Sequence, residues 1–250
     1  MAKRANKTDT HKQTIMTTPT ITVALPQLGT PLDGPGAPLQ ITAELGNAVA
    51  IPYGPIALDA LLAWATAKLE LPTMVDGYRE IHIPVAKEPG GRFHLASFSV
   101  GEAAEHEQTF VNRRFPVTQA MWMAPRMRRV QINAGAQKSY RIPLHLTLMR
   151  DNRLVWYALG DAERIAFLLQ LVLHLGKRRS VGHGRVMRWT VEPCEPWPGF
   201  PVMRDGQPLR PLPLDWPGLA EDAERRYCRA TYPYWRRVDE VACAVPGGMR

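Results

Sequence analysis

The sequence predicts an α+β protein whose elements follow the order β-α-β-β-α-β, the order of a ferredoxin-like fold. Three patterns carry that expectation. Apolar and polar residues alternate over 39–45 and again over 186–192, as in strands with one buried face. Apolar residues recur at helical spacing over 56–69 and 161–175. Pro89, Gly90 and Gly91 separate two strand-like runs, 79–86 and 92–100, so a hairpin is expected between the two helices.

In chain order, residues 1–19 form a polar leader of mixed charge without the apolar stretch of a signal peptide, and Met16 is an alternative start. A disordered leader is expected there, followed by a core over 20–193. Strand 39–45 opens the core. The turn-rich residues 51–55 lead into IALDALLAWATAKL, whose residues are good helix formers. After the hairpin, residues 101–138 are rich in Arg, Met and aromatics, weakly periodic and too long for an ordinary connection. They predict an insertion over 101–140. Runs 141–149 and 154–159 read as strands. In helix 161–175, Asp161 is the cap, Asp161 and Glu163 suit the positive end, and Gly176 is the stop. In 186–192, Met187, Trp189 and Val191 fall on one face and Arg188, Thr190 and Glu192 on the other. Eight prolines within 193–217 predict an irregular, wrapped or flexible start to an extension over 194–250. Residues 220–231 read as an amphipathic helix before a tail with Tyr232, Tyr234 and Trp235.

The 250 residues are enough to bury a sizeable core, and the formal net charge is +8. Between Glu107 and Arg188 there are fifteen Lys/Arg against four Asp/Glu, so the rest of the chain is mildly acidic. A surplus confined to one segment favours nucleic acid over a membrane surface. Cys194, Cys228 and Cys243 are odd in number and lack Cys-x-x-Cys spacing, which argues against a disulfide framework or a zinc site and for a reducing cytoplasm. No apolar run reaches the roughly 18 residues of a spanning helix. The seven histidines show no metal-ligand spacing, and there is no Gly-x-Ser-x-Gly elbow. Carboxylates are scarce in the basic half, which weakens a two-metal nuclease. No cofactor or metal is expected.

Two stretches concentrate the cations. Residues 176–186, GKRRSVGHGRV, combine Gly176, Gly182 and Gly184 with Lys177, Arg178, Arg179 and Arg185. Glycine lets a backbone bend and approach another molecule closely, and cations beside such a bend suit a phosphate backbone resting on exposed N–H groups. A glycine stop followed by a solvated turn accounts for the same residues. The preceding helix would point its negative end at this loop, so Lys177, Arg178 and Arg179 would have to overcome it. The second stretch carries Arg113, Arg114, Phe115, Met121, Trp122, Met123, Arg126, Arg128 and Arg129, then Lys138, Tyr140 and Arg141. Cations interleaved with aromatics suit single-stranded nucleic acid, where bases stack and phosphates pair. A core of Met121, Trp122 and Met123 beneath solvated arginines is the other reading. His183 has the chemistry of a general base on an RNA 2′-hydroxyl, with Tyr140, Lys138 or Arg179 steadying the phosphate, or of a plain hydrogen-bonding contact.

The loop GKRRSVGHGRV followed by MRWTVEP resembles the glycine-rich loop and last strand of the RAMP superfamily of CRISPR-associated proteins, whose ferredoxin-like (RRM-like) cores bind CRISPR RNA. With IALDALL at 56–62, AQKSYRIPL at 136–144 and VWYALGD at 155–161, the chain is similar to the subunit that caps the guide at its 5′ handle in type IV effector complexes. The resemblance implies a RAMP core with a thumb-like insertion, here within 107–138, and leaves the proline-rich C-terminal extension outside its motifs. It implies handle contacts by Lys177, Arg178, Arg179, Ser180, Gly182, His183 and Gly184. The implied partners are the CRISPR RNA 5′ handle, RAMP filament subunits, a large or small effector subunit, target DNA near the PAM and an accessory helicase. A filament subunit or the repeat-cleaving endonuclease would share the loop. The short length, single ferredoxin-like unit and large insertion favour the handle-capping subunit. Non-catalytic RNA binding is therefore expected, with a metal-independent endoribonuclease acting through His183 as the alternative.

Overall fold

The computed structural model describes residues 32, 34–52, 54–70, 81–114, 138–234 and 240–247. The leader over 1–19, the middle of the insertion with Phe115, Met121, Trp122, Met123, Arg126, Arg128 and Arg129, and Trp235 lie outside the described residues.

Alternation in the first strand, β1 (Ala37–Leu45), buries Leu39, Ile41 and Ala43 completely and leaves Gln40, Thr42 and Glu44 half-exposed. This strand is central. It pairs antiparallel with β4 (Arg153–Gly160) on one side and with β5 (Val186–Pro193) on the other. Residues 95–100 line the far edge of β4, with bridges Ala96–Ala158 and Val100–Val155 and a 2.8 Å bond from Ser97 N to Tyr157 O. The order across the sheet is thus 95–100, β4, β1, β5, all antiparallel, which is compatible with a ferredoxin-like core. Helices α1 (Leu58–Glu70) and α2 (Ala162–Leu169) cover one face. Their Leu58, Leu62, Ile165 and Leu168 close over Ile41 and Trp156. Each such aliphatic side chain contributes about 1.5–3 kcal/mol by leaving water. As expected, Asp161 caps α2 by accepting from Arg164 N at 3.0 Å.

Over its described residues, 81–100, the expected hairpin is less regular than two strand-like runs suggest. Among the described residues it pairs with itself at Lys87–His94, through Glu88 N to Phe93 O (2.9 Å) and Leu95 N to Ala86 O (2.7 Å). Its second half spends its remaining pairing on β4, on residues 56–58 and on Leu209, and Pro84 has no N–H to give a ladder.

The helix expected over 161–175 ends at Leu169. Residues 173–175 instead run antiparallel to 184–186, with Leu175 N on Gly184 O (2.7 Å) and Val186 N on Leu173 O (2.9 Å). Val172 and Leu175 stay buried either way, so a short apolar run carries no periodicity that separates the two conformations. Met187 also departs from the expected face. A register shift at Glu44–Leu45 lets Val186, Trp189 and Val191 meet the core while Met187 is exposed.

The insertion is not patternless at its start. Residues Ala103–Arg113 form β2, paired antiparallel along its length with β3 (Tyr140–Met149), so the predicted strand at 141–149 leaves the core sheet for a two-stranded ribbon. Nearly all of β2 is exposed, which is why it shows no apolar alternation.

The helix expected over 220–231 is absent. Residues Arg225–Cys228 form β9, which pairs with β10 (Val241–Ala244), and β10 pairs in turn with β8 (Leu212–Pro213). A helix of that length is marginal without tertiary support, and strand pairing wins. Upstream, β6 (Met203–Arg204) and β7 (Gln207–Pro208) make a tight hairpin, and Val202, Met203 and Leu212 cluster with Phe93 of the core. Arg210, with no exposure, ties this extension down. It donates to the carbonyls of His94, Ala96 and Ala230 and to Tyr234 Oη, and pairs with Asp59 of α1 at 3.4 Å. Tyr234 donates to both Asp59 oxygens at 3.0 and 2.8 Å. Burial pushes the Asp59 carboxyl and the Tyr234 hydroxyl up from their ordinary values, and the Arg210 charge opposes both shifts.

Candidate nucleic-acid interface

The glycine loop turns twice through left-handed backbone. Gly176 (φ 76°) and Gly184 (φ 65°) sit where an added Cβ would press on the carbonyls of Ala50 and Leu175, so glycine is required at both. Between them, Arg178 (φ 58°) leads into a one-turn 3₁₀ segment, Arg179–Val181. Gly182 (φ 92°) faces open space. The loop's backbone is spent largely on the protein itself. Lys177 N donates to Ala50 O (2.7 Å), Gly184 N to Ala48 O (3.0 Å) and Gly182 N to Arg179 O (3.0 Å), while Asn47 Nδ2 donates to Gly182 O (2.7 Å). The N–H groups of Lys177, Val181, Gly182 and Gly184 are thus committed, and the side chains of Lys177, Arg178, Arg179 and Ser180 are exposed. One expectation is corrected: the helix dipole does not oppose these cations, because α2 ends at Leu169.

Residues 46–50 connect the loop to the ribbon. One edge of this short strip accepts from the loop through the Ala48 and Ala50 carbonyls. The other edge pairs with β3, Val49 N to Thr147 O at 2.9 Å and Thr147 N to Val49 O at 2.8 Å. Ala48 and Ala50 then pack with Leu144, Leu146 and Val111 at the ribbon's base. Loop, strip and ribbon are therefore joined by one continuous hydrogen-bonded backbone, with Val49 and Ala50 of the strip buried between them.

Toward its distal end the ribbon gathers the other predicted cations. Arg113 pairs in register with Tyr140, donates to its hydroxyl at 3.1 Å and lies 5.5 Å from its ring centre. Arg141 sits 3.7 Å above Phe110. Arg114 and Lys138 are exposed beside them. The basic segment is in fact sorted by partner. Arg188 and Arg153 reach Glu44 at 2.6 and 3.6 Å, Arg150 reaches Glu102 at 2.7 Å, and Arg164 is buried. The Arg188 guanidinium, bonded to Glu44, holds that carboxyl below its ordinary value. Among the described residues, no carboxylate pairs with Arg113, Arg141, Arg178 or Arg179. The uncompensated charge therefore lies on the loop and the distal ribbon.

Three contributors escape a reading of the sequence. Trp64, in the apolar periodicity of α1, reads as core, yet it is 37% exposed with Arg179 5.5 Å and Lys68 5.0 Å from its ring centre. Lys68 reads as a solvated helix end. Asn47 reads as turn, yet it clasps the loop by both ends of its amide, accepting from Arg185 N at 3.0 Å. Only the contacts themselves distinguish these residues. His183 is half-buried in the loop, and Lys138, Tyr140 and Arg179 are distributed between ribbon and loop and are not gathered around it by any recorded contact.

Comparison with known proteins places this surface in a family context. The family model described as CRISPR type IV associated protein Csf3 matches residues 86–246, which include the ribbon, the glycine loop and the C-terminal extension. No curated protein matches the chain. Among the described residues, no helix is long and apolar enough to cross a membrane.

Proposed function

Because the chain belongs to the CRISPR type IV associated Csf3 family, we propose that it is a non-catalytic RNA-binding subunit that caps the 5′ handle of the guide in a type IV effector complex. The observation that carries this reading is the continuity of loop, strip and ribbon, with the uncompensated cations at both ends. A surface of that kind suits a single strand running across it. Lys177, Arg178 and Arg179 meet phosphates at one end, and Arg113, Arg114, Lys138 and Arg141 meet them at the other. Trp64 beside Arg179 and Phe110 beneath Arg141 offer rings to splayed bases, while Tyr140 with Arg113 presents a ring on the ribbon's other face. The ribbon would act as the thumb that sets the register of the first guide nucleotides. The end it caps is where target DNA first opens, so contact with duplex near the PAM belongs to the same reading, while target sequence is read by guide pairing. RAMP filament subunits and a large or small effector subunit complete the proposed assembly, with an accessory helicase acting on it.

Copurification with the products of neighbouring genes, followed by sequencing of the bound RNA, tests the proposal. The expected result is a guide whose 5′ handle is protected only when this subunit is present. Incubation with repeat RNA in EDTA tests the non-catalytic part. Specific cleavage that His183→Ala abolishes would overturn it in favour of a metal-independent endoribonuclease.

A further inference from the structure

The two faces of the ribbon differ in chemistry. Register places Leu144, Leu146, Ile142 and Val111 on one face, and the strip's alanines cover its base. The other face carries His106, Thr147 and His145 near the base, then Gln108, then Phe110 with Arg141 stacked over it. At the base of this second face lies a cavity of about 480 Å³, within the range of small-molecule sites. Its lining mixes apolar side chains, Ile51, Pro52, Pro55 and Met149, with polar groups that include the two imidazoles, the Thr147 hydroxyl and the Ser99 hydroxyl, the last already accepting from Ile56 N at 2.8 Å. His106 Nδ1 and Thr147 Oγ1 are 3.3 Å apart, which fixes that ring through one nitrogen and leaves Nε2 for a ligand.

We propose that this cavity is a nucleobase pocket, which receives a base flipped out of the RNA strand as it crosses from the glycine loop to the ribbon. The apolar side chains of the lining take the base's faces, and the imidazoles meet its edge. With His106 Nδ1 engaged by Thr147, its Nε2 and the ring nitrogens of His145 are the groups that meet the donors and acceptors of a Watson–Crick edge. The cavity also adjoins the strip that joins loop and ribbon. Buried Val49 bridges to Thr147 of the cavity lining, and Ile51 of the cavity wall follows two residues later. Beyond the cavity the same face continues to the Phe110–Arg141 stack, where a neighbouring base and its phosphate find a ring and a cation.

The inference rests on the RNA-binding reading above, and the test separates the two. The probes are single-stranded dodecamer RNAs of each of the four bases and an abasic ribose-phosphate dodecamer, titrated with the full-length chain at several salt concentrations. The wild type is expected to prefer at least one base-bearing dodecamer over the abasic one. In His106→Ala/His145→Ala, that preference falls about tenfold, the loss expected for one or two hydrogen-bonded contacts. Ala103→Trp, which fills the cavity from its exposed rim, is expected to lower the preference in the same way without touching either imidazole. Salt-dependent RNA binding whose base preference is unmoved by both variants overturns the pocket and leaves the RNA-binding reading standing. Equal affinity of the wild type for base-bearing and abasic strands also overturns the pocket. Absence of salt-dependent affinity for any of the strands overturns both.

Discussion

Arg210 and the arginines of the glycine loop show how one residue type serves two purposes in a single chain. Arg210 is fully buried, and its guanidinium is surrounded by three carbonyls, a phenol and the Asp59 carboxylate. Arg178 and Arg179 are exposed and meet no carboxylate among the described residues. Taking a guanidinium out of water is tolerable only where fixed acceptors replace the water, so Arg210 belongs to the fold. Arg178 and Arg179 stay exposed, Arg179 over the Trp64 ring, and under the proposed function they serve recognition. The charge surplus visible in the sequence sums both kinds and cannot separate them.

The largest effect that would test this contrast is on stability. Arg210→Ala strands Asp59 and Tyr234 in a buried site and is expected to cost about 3–5 kcal/mol. Chemical denaturation measures it, and a loss within error of a surface arginine's would break the comparison. Next come the glycines of the loop. Gly182→Ala carries the strain of a left-handed residue in open space, about 1 kcal/mol. Gly184→Ala adds a clash with the Leu175 carbonyl and is expected to lower the melting temperature distinctly more. Equal shifts would mean that the close approach of the two chain segments is not required.

The loop cations should behave in the opposite way to Arg210. Lys177→Ala/Arg178→Ala/Arg179→Ala is expected to leave the unfolding midpoint in place while flattening the salt dependence of RNA binding by up to about two units of log–log slope, roughly 0.7 for each of three phosphate contacts. An unchanged slope places the loop away from the RNA. The smallest effect concerns Glu44, whose carboxyl Arg188 holds below the ordinary value of 4.5. A depressed carboxyl contributes stability above its unfolded value and loses it as pH falls through the folded one. Thermal melts of the wild type below about pH 4.5 should therefore carry a pH-dependent loss that Glu44→Gln reduces. Parallel pH profiles would show that this ion pair between β1 and β5 contributes nothing.

How much was legible follows the range of each interaction. The burial of Leu39, Ile41 and Ala43 and the cap at Asp161 were readable because each is set by residues a few positions apart. The loop's glycines and cations were readable as a motif, yet their use was not, because the loop's backbone donors Lys177 N and Gly184 N find the carbonyls of Ala50 and Ala48, far away in sequence. Trp64 shows the same limit from the other side. Its helical position reads as core, and only the approach of Arg179 to its exposed ring shows otherwise.

By itself the sequence determined the α+β class, the helical and strand periods of the core, the glycine-rich motif, and the segment that holds the positive charge. Each of these is encoded in local spacing or composition, which a single chain displays without a partner. The tertiary structure decided that α2 stops at Leu169, that residues 225–228 pair as a strand, and that the strip at 46–50 joins the loop to the ribbon. Those outcomes depend on hydrogen bonds such as Val49 to Thr147. The two residues lie far apart in sequence, and nothing in the composition around either one names the other.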